Sequence, residues 1–299
     1  MKPVLQTDQL SKNYGRIQAA QNISLTIPQG SVFGILGPNG SGKSTTLGMV
    51  LGVTKPTSGS FNWFGDGADH LVRRRIGAIL ERPIFYPSFT AVQNLKVAAK
   101  IKEVPASRIE EALKLVGLYE RKESKFRTYS LGMKQRLSIA SAMICDPKVL
   151  ILDEPTNGLD PQGIAEIRQL ITEIAATGKT IILASHLLDE VQKVCSDFCV
   201  LRKGKLIYQG KVADTGQDAG TEVEVRSKNE GLKSALEALP FVSSMEVAEY
   251  GGYLIKLEDD SNAELLNKQL YEQGIILEHL VTHRQTLEEK FLEILKNEA

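Results

Sequence analysis

An apolar run, Val32-Phe33-Gly34-Ile35-Leu36, opens directly into Gly37-Pro38-Asn39-Gly40-Ser41-Gly42-Lys43-Ser44-Thr45, and no other stretch constrains the fold as strongly. The run reads as a buried strand, and the glycine spacing with its closing Lys-Ser is the pattern of a phosphate-binding loop that leads into a helix. Glycines at these positions let the backbone curl around an anion with consecutive N–H groups pointing inward, and the helix opening near Lys43 adds its positive end. Lys43 is suited to neutralise β/γ-phosphate charge, and the Ser44 hydroxyl is suited to ligate Mg²⁺. A plain strand-to-helix turn has no need for Lys-Ser after its last glycine. The loop therefore predicts a nucleoside triphosphate as ligand.

The chain has 299 residues, with 36 basic and 36 acidic side chains and 42% apolar content, enough for two cores. A formal charge of zero gives no bulk attraction to nucleic acid or anionic lipid, and no nucleic-acid partner is expected. The longest apolar stretches, such as Thr180-Ile181-Ile182-Leu183-Ala184 and Val149-Leu150-Ile151-Leu152, fall far short of the ~20 residues that span a bilayer. Met1-Lys2-Pro3-Val4 has no apolar signal segment behind it, so a cytoplasmic location is expected. The three cysteines fit a reducing compartment; Cys195 and Cys199 lack further ligands at zinc spacing, and all three read as small buried side chains.

Residues 1 to about 30 alternate polar and apolar side chains between the breaks Asn13-Tyr14-Gly15 and Pro28-Gln29-Gly30, which predicts short antiparallel strands. Val32–Leu36, Val149–Leu152 and Thr180–Ala184 are almost wholly apolar, as expected of parallel strands covered on both faces. Ligands bind where the carboxyl ends of such strands emerge, so the polar clusters that follow them should meet. From about 90 to 145 the spacing is helical: Val92, Leu95, Val97 and Ala98, then Ile109, Ala112, Leu113 and Val116, then Leu137, Ile139 and Ala140. Gly216 to Gly220 reads as a linker. Beyond it the pattern predicts strand 222–226, helix 231–239, strands 242–248 and 253–257, helix 262–273, strand 275–281 and a last helix from Thr286, the β-α-β-β-α-β order of a ferredoxin-like module. That last helix carries Leu287, Phe291, Ile294 and Leu295 on one stripe, expected to dock back on the module.

Val149-Leu150-Ile151-Leu152-Asp153-Glu154-Pro155 is an apolar strand ending in adjacent carboxylates. This is the form of a Walker B element, in which Asp153 holds Mg²⁺ beside Ser44 and Glu154 takes a proton from the attacking water.

With these elements in order, residues 1 to about 212 resemble the nucleotide-binding subunit of ATP-binding cassette (ABC) transporters. The resemblance implies an α/β fold: a P-loop NTPase core with an antiparallel β subdomain and a helical subdomain at about 83–147, forming a domain at 1–216. A small α+β ferredoxin-like domain at 217–299 would follow. It further implies that Tyr14 stacks on adenine and that His186, after Ser185, contacts the γ-phosphate. Tyr129-Ser130-Leu131-Gly132-Met133-Lys134-Gln135-Arg136 looks like the family's signature, with Leu131 in place of the first glycine and Met133 in place of glutamine. Ser130 and Gly132, the pair expected at the γ-phosphate, are kept. Ser130 is suited to cap a helix running to about Ile144 and so to aim N–H groups at an anion.

In this family the signature of one subunit closes over the phosphate loop of another, so a head-to-tail pair of identical chains is implied, with Asn157-Gly158-Leu159-Asp160 as the loop linking the two sites. Glu81 stands where the family generally has glutamine, and as a hard oxygen donor it can serve Mg²⁺. Glu81 and the signature Ser-Leu-Gly-Met-Lys-Gln-Arg resemble the subgroup that exports, or confers resistance to, bacitracin and lantibiotic peptides. The aromatic loop Pro83-Ile84-Phe85-Tyr86-Pro87-Ser88-Phe89 is suited either to receive a helix of a membrane partner or to pack on its own subdomain.

The implied activity is ATP hydrolysis driving a separate transmembrane permease from the inner face of the cell membrane. Two alternatives are a soluble ABC ATPase acting on DNA or ribosomes and a regulatory ATPase whose C-terminal module binds an effector. The short interval from Lys43 to Ser130 leaves no room for the long coiled coils of chromosome-maintenance relatives, and the chain has one cassette where translation factors have two.

Overall fold

A computed structural model describes residues 2–80, 84–216, 222–248, 251–258, 261–283 and 291. The chain divides into two compact units, Met1–Lys211 and Val212–Ala299. The predicted linker at 216–220 and the amphipathic tail from Thr286 lie almost wholly outside the described residues, as does Glu81.

The first unit opens with β1 (Pro3–Tyr14), β2 (Ile17–Ile23) and β3 (Thr26–Pro28). The strands end at the two breaks the sequence predicts, β1 at Tyr14 and β3 at Pro28, and β1 alone runs for 12 residues. It stays continuous because it bulges: the register shifts between Leu10 and Lys12, and Gln9 adopts φ 44. Past the bulge β1 pairs with β2, before it with β3, and β5 (Ser58–Trp63) pairs with it antiparallel from Leu5 to Ser11.

β4 (Val32–Leu36) runs into α1 (Lys43–Val50), and α2 (His70–Arg73) precedes β6 (Ile76–Ile79). Three helices follow where the spacing is helical: α3 (Ala91–Ile101), α4 (Ser107–Leu115) and α5 (Leu131–Met143). Thr90 and Gln93 close a capping box on α3. The chain then alternates β7 (Val149–Asp153), α6 (Pro161–Ala176), β8 (Thr180–Ser185) and α7 (Leu188–Val194) before the hairpin β9 (Asp197–Arg202) and β10 (Lys205–Lys211).

The central sheet has the order β10-β9-β4-β8-β7-β6, parallel from β9 to β6. The apolar strands β4, β8 and β7 are adjacent in it, and every one of their residues is buried. Gly34 is needed on β4 because a β-carbon there would come within 2.8 Å of Val191 on α7, so the helix seats directly on the strand. Trp63, fully buried, ties β5 to the end of α1 by donating from Nε1 to the Val50 carbonyl at 2.9 Å.

The second unit runs β11 (Glu222–Arg226), α8 (Leu232–Glu237), β12 (Val242–Val247), β13 (Tyr253–Leu257), α9 (Ala263–Glu272) and β14 (His279–His283). Its sheet has the order β12-β13-β11-β14 with every pair antiparallel. Val223, Val225, Ile255 and Leu257 meet Leu232, Leu236, Leu266 and Leu270 in a separate core. The last strand begins later than the predicted 275–281. Gly274, at φ 77, ends α9 in a Schellman turn: its N–H donates to Tyr271 O at 2.9 Å and that of Ile275 to Leu270 O at 2.9 Å. Ile275 is therefore the buried residue that closes a helix and not the first residue of a strand.

Candidate functional site

The carboxyl ends of β4, β7 and β8 converge, and with them the polar clusters that follow. Gly42 takes φ 104 as the N-cap of α1 and offers no side-chain cap, so the first N–H groups of the helix remain available to an anion. Side chains are excluded from the loop on two sides. A β-carbon on Gly37 would collide with Leu201 O and Ser41 Oγ, and one on Gly42 would stand 2.5 Å from Ala19 O on β2. Gly40, at φ 79, supplies the remaining left-handed turn. The loop is braced from behind: the Gly37 N–H donates to Ser185 O at 3.3 Å and that of Gly204 to Ser41 O at 3.0 Å.

Lys43 is 5% exposed and its ammonium donates to the carbonyls of Gly37 at 2.7 Å and Pro38 at 3.3 Å. Its third neighbour is Glu154, at 3.2 Å from Nζ to Oε1. The other carboxylate oxygen of Glu154 shares a hydrogen bond with His186 Nδ1 at 2.7 Å. Lysine, glutamate and histidine from three distant segments thus form one continuous chain. Glu154 has φ 49, a left-handed backbone that costs an L-residue about 1–2 kcal/mol, and its N–H is pinned to Ala184 O at 2.9 Å. That strain turns the carboxylate away from β7 and toward the loop. Asp153 is the last, buried residue of β7, and Ser44 lies exposed in the first turn of α1. The Ser41 hydroxyl is buried without a hydrogen-bond partner, a polar atom in place for a phosphate oxygen. An oxygen donor set of one carboxylate and one hydroxyl suits Mg²⁺.

Ser130 caps α5, its Oγ accepting from Met133 N–H at 3.2 Å, and the helix runs to Met143 as its composition predicts. Asp160 does the same for α6, accepting from Gly163 N–H at 2.9 Å with Pro161 in the first turn. The two capped ends border one open groove of about 450 Å³, lined by Ser130, Gly132, Gly158, Leu159 and Arg136 among others. Arg136 reaches Glu166 across it at 3.3 Å.

Tyr14 stands at the tip of the β1–β2 hairpin, paired with Ile17 and 49% exposed, with the Lys12 ammonium 5.1 Å from its ring centroid. The same hairpin passes Ala19 behind Gly42, which joins Tyr14 to the phosphate loop through β2. Of the aromatic loop, Ile84, Tyr86 and Phe89 are exposed, whereas Phe85 packs on Phe126 at 5.1 Å between centroids. Cys195 and Cys199 are buried, and burial pushes both thiols well above the usual range, but Cys145 is only partly covered, contrary to the expectation for all three. Two buried polar neighbours of His186 escape the sequence patterns, Ser185 and Glu190. An acid in Leu188-Asp189-Glu190-Val191 reads as the wet side of a helix, and only the tertiary packing of α7 buries it.

The ABC transporter family profile matches residues 20–157. The bacitracin transport ATP-binding protein BcrA of Enterococcus faecalis is 33% identical over 99% of this chain and 97% of its own length. The lantibiotic transport ATP-binding protein SrtF of Streptococcus pyogenes is 40% identical over 69% of this chain and 90% of its own. Among solved structures, the dimeric ATP-binding cassette MJ0796, in a post-hydrolysis state with ADP and Pi, superposes with a TM-score of 0.61 at 27% identity, covering 70% of this chain and 98% of that one. Phosphate loop, carboxylate pair and capped signature helix, in this order and on this sheet, make the chain a member of the ABC transporter family, the ATP-binding and ATP-hydrolysing subunit of an ABC exporter related to the bacitracin and lantibiotic transport ATPases.

Proposed function

We propose that this subunit works as a head-to-tail pair of identical chains, each lending Ser130 and Gly132 to the nucleotide held by the other's phosphate loop. The pairing is supported by the likeness to the dimeric cassette MJ0796, and the observation that carries the hydrolytic part of the reading is the Lys43–Glu154–His186 chain, which joins the loop to a base and the base to a histidine that orients it. Gly37 to Thr45 hold the triphosphate, with Pro38 and Asn39 shaping the turn, and Tyr14 stacks on the adenine. Ser44, Asp153 and Glu81 hold Mg²⁺, which supplies charge neutralisation at the β- and γ-phosphates. Glu154 removes a proton from the attacking water, and His186 fixes which carboxylate oxygen faces it.

The pair attaches to separate permease subunits on the inner face of the membrane. No helix among the described residues is long and apolar enough to cross a bilayer. The relatives named for bacitracin and lantibiotic transport favour a peptide antibiotic as cargo. The second unit is a ferredoxin-like domain, a reading supported by its β-α-β-β-α-β order and the strand order β12-β13-β11-β14.

The test is gel filtration of Glu154→Gln with saturating ATP and Mg²⁺, followed by affinity purification from detergent-solubilised membranes. A nucleotide-dependent dimer and a polytopic partner are expected. A monomer under these conditions, or association with ribosomes or DNA instead, overturns the reading.

A further inference from the structure

Glu190 is a carboxylate with 2% exposure that takes no part in the phosphate site described above. It sits in the first turn of α7, and its Oε2 accepts from the Ser185 hydroxyl at 2.9 Å. Oε1 is buried without a hydrogen-bond partner. A buried acid bonded through one oxygen to one neutral hydroxyl is a costly arrangement, and its retention calls for a reason.

Ser185 supplies it. This wholly buried residue ends β8 and is bonded in three directions. Its carbonyl accepts from the Gly37 N–H at the start of the phosphate loop at 3.3 Å, and its Oγ accepts from the Leu187 N–H at 3.0 Å while donating to Glu190. Because a hydroxyl has one proton, the carboxylate sets its rotor: with the proton committed to Glu190, the lone pairs face Leu187. His186 lies between the two residues so fastened, and its Nδ1 meets Glu154 at 2.7 Å. Leu187 is the N-cap of α7, and its side chain gives no cap. The serine therefore relays what a capping-box glutamate would do directly. α7 cannot drift away, since Gly34 lets Val191 seat against β4.

We infer that Glu190 is a positioning residue for His186, acting through Ser185 to hold the histidine against Glu154. It locks the backbone on both sides of position 186 and registers that segment to the phosphate loop. This rests on the role given to His186 above.

The test compares steady-state ATP hydrolysis of the full chain with its Glu190→Ala, Glu190→Gln, His186→Ala and Glu190→Ala/His186→Ala variants. Misplacing a catalytic group by about 1 Å can cost on the order of a hundredfold, so Glu190→Ala should lower kcat by roughly ten- to a hundredfold with KM for ATP within about twofold. Glu190→Gln, whose amide oxygen still accepts the serine proton, should restore most of the rate, and the double variant should be no slower than His186→Ala alone. A role confined to capping α7 would lower the melting temperature without this kcat loss, and a further loss in the double variant would place Glu190 on a separate path. Either result overturns the inference. Full activity of His186→Ala would overturn instead the role of the histidine on which it stands. If Glu190→Ala fails to fold, Ser185→Ala carries the same kcat and double-variant comparisons.

Discussion

The side chain of Leu131 stands against Gly158, its Cδ2 3.3 Å from where a β-carbon at position 158 would sit. Leu131 replaces a glycine of the usual signature, so a bulky residue at the start of α5 is matched by the absence of one in the loop before α6. Gly158 itself has φ 78. Signature and loop are thereby in contact within one chain, before any second copy is considered.

Gly158→Ala should destabilise the protein by roughly 1–2 kcal/mol, chiefly through the left-handed backbone. Because the new methyl also presses on Leu131, Leu131→Ala in the same chain should recover about 0.5 kcal/mol. Urea denaturation of the two single variants and the double variant checks this, and strict additivity would show that the contact carries no energy.

Glu154→Gln should lose about a hundredfold or more in turnover while retaining ATP binding, since a general base contributes about 10²- to 10⁴-fold. Mg²⁺-dependent phosphate release together with nucleotide titration separates the two effects. Equal hydrolysis in the variant would remove Glu154 from the chemistry.

Removing Mg²⁺ with a chelator should abolish hydrolysis, and Asp153→Asn should shift the Mg²⁺ requirement to higher concentration. Glu81→Gln should leave basal hydrolysis within about tenfold, because other ligands persist, but weaken stimulation by the membrane partner. A Mg²⁺ titration of ATPase activity, with and without membranes containing the permease, reads both outcomes.

Asp146 links α4 to the start of β8, accepting from Lys179 at 2.6 Å and facing Arg108 at 3.9 Å. The hydrogen bond from Lys179 holds its carboxyl below the usual range, with desolvation opposing. Its contribution is therefore present above the unfolded carboxylate pKa and is lost as pH falls through the lower, folded value. At neutral pH Asp146→Asn should cost about 0.5 kcal/mol, since the side chain is mostly exposed, and the difference from wild type should vanish in acid. Asp146→Ala should cost about 1 kcal/mol more, because φ 51 tolerates asparagine but not alanine. Urea denaturation at several pH values tests the ordering.

Features whose causes are local were legible in the sequence. The phosphate loop, the apolar strand ending in Asp153-Glu154 and the Ser130 cap each depend on a few adjacent residues, and strands β11 and β13 fall at their expected bounds. Features that depend on distant partners were not. β5 has an ambiguous sequence, Ser-Gly-Ser-Phe-Asn-Trp, and becomes a strand because β1 presents an edge to it. The start of β14 was misread because Ile275-Ile276-Leu277 is apolar enough for a strand, yet the first of these completes the turn that ends α9. Glu190 was invisible for the same reason: burial of an acid is a property of the packed helix and not of its composition.

Lys43 has three N–H donors; two go to backbone carbonyls, and the carboxylate of Glu154 lies beside the ammonium as an ion pair at 3.2 Å. A phosphate oxygen that takes the remaining donor meets that carboxylate, which, unlike the two carbonyls, can swing away by side-chain rotation. Until nucleotide arrives, the carboxylate stays clasped by the lysine. Loading and arming become a single event, and the safety catch is the very ion pair that the nucleotide replaces.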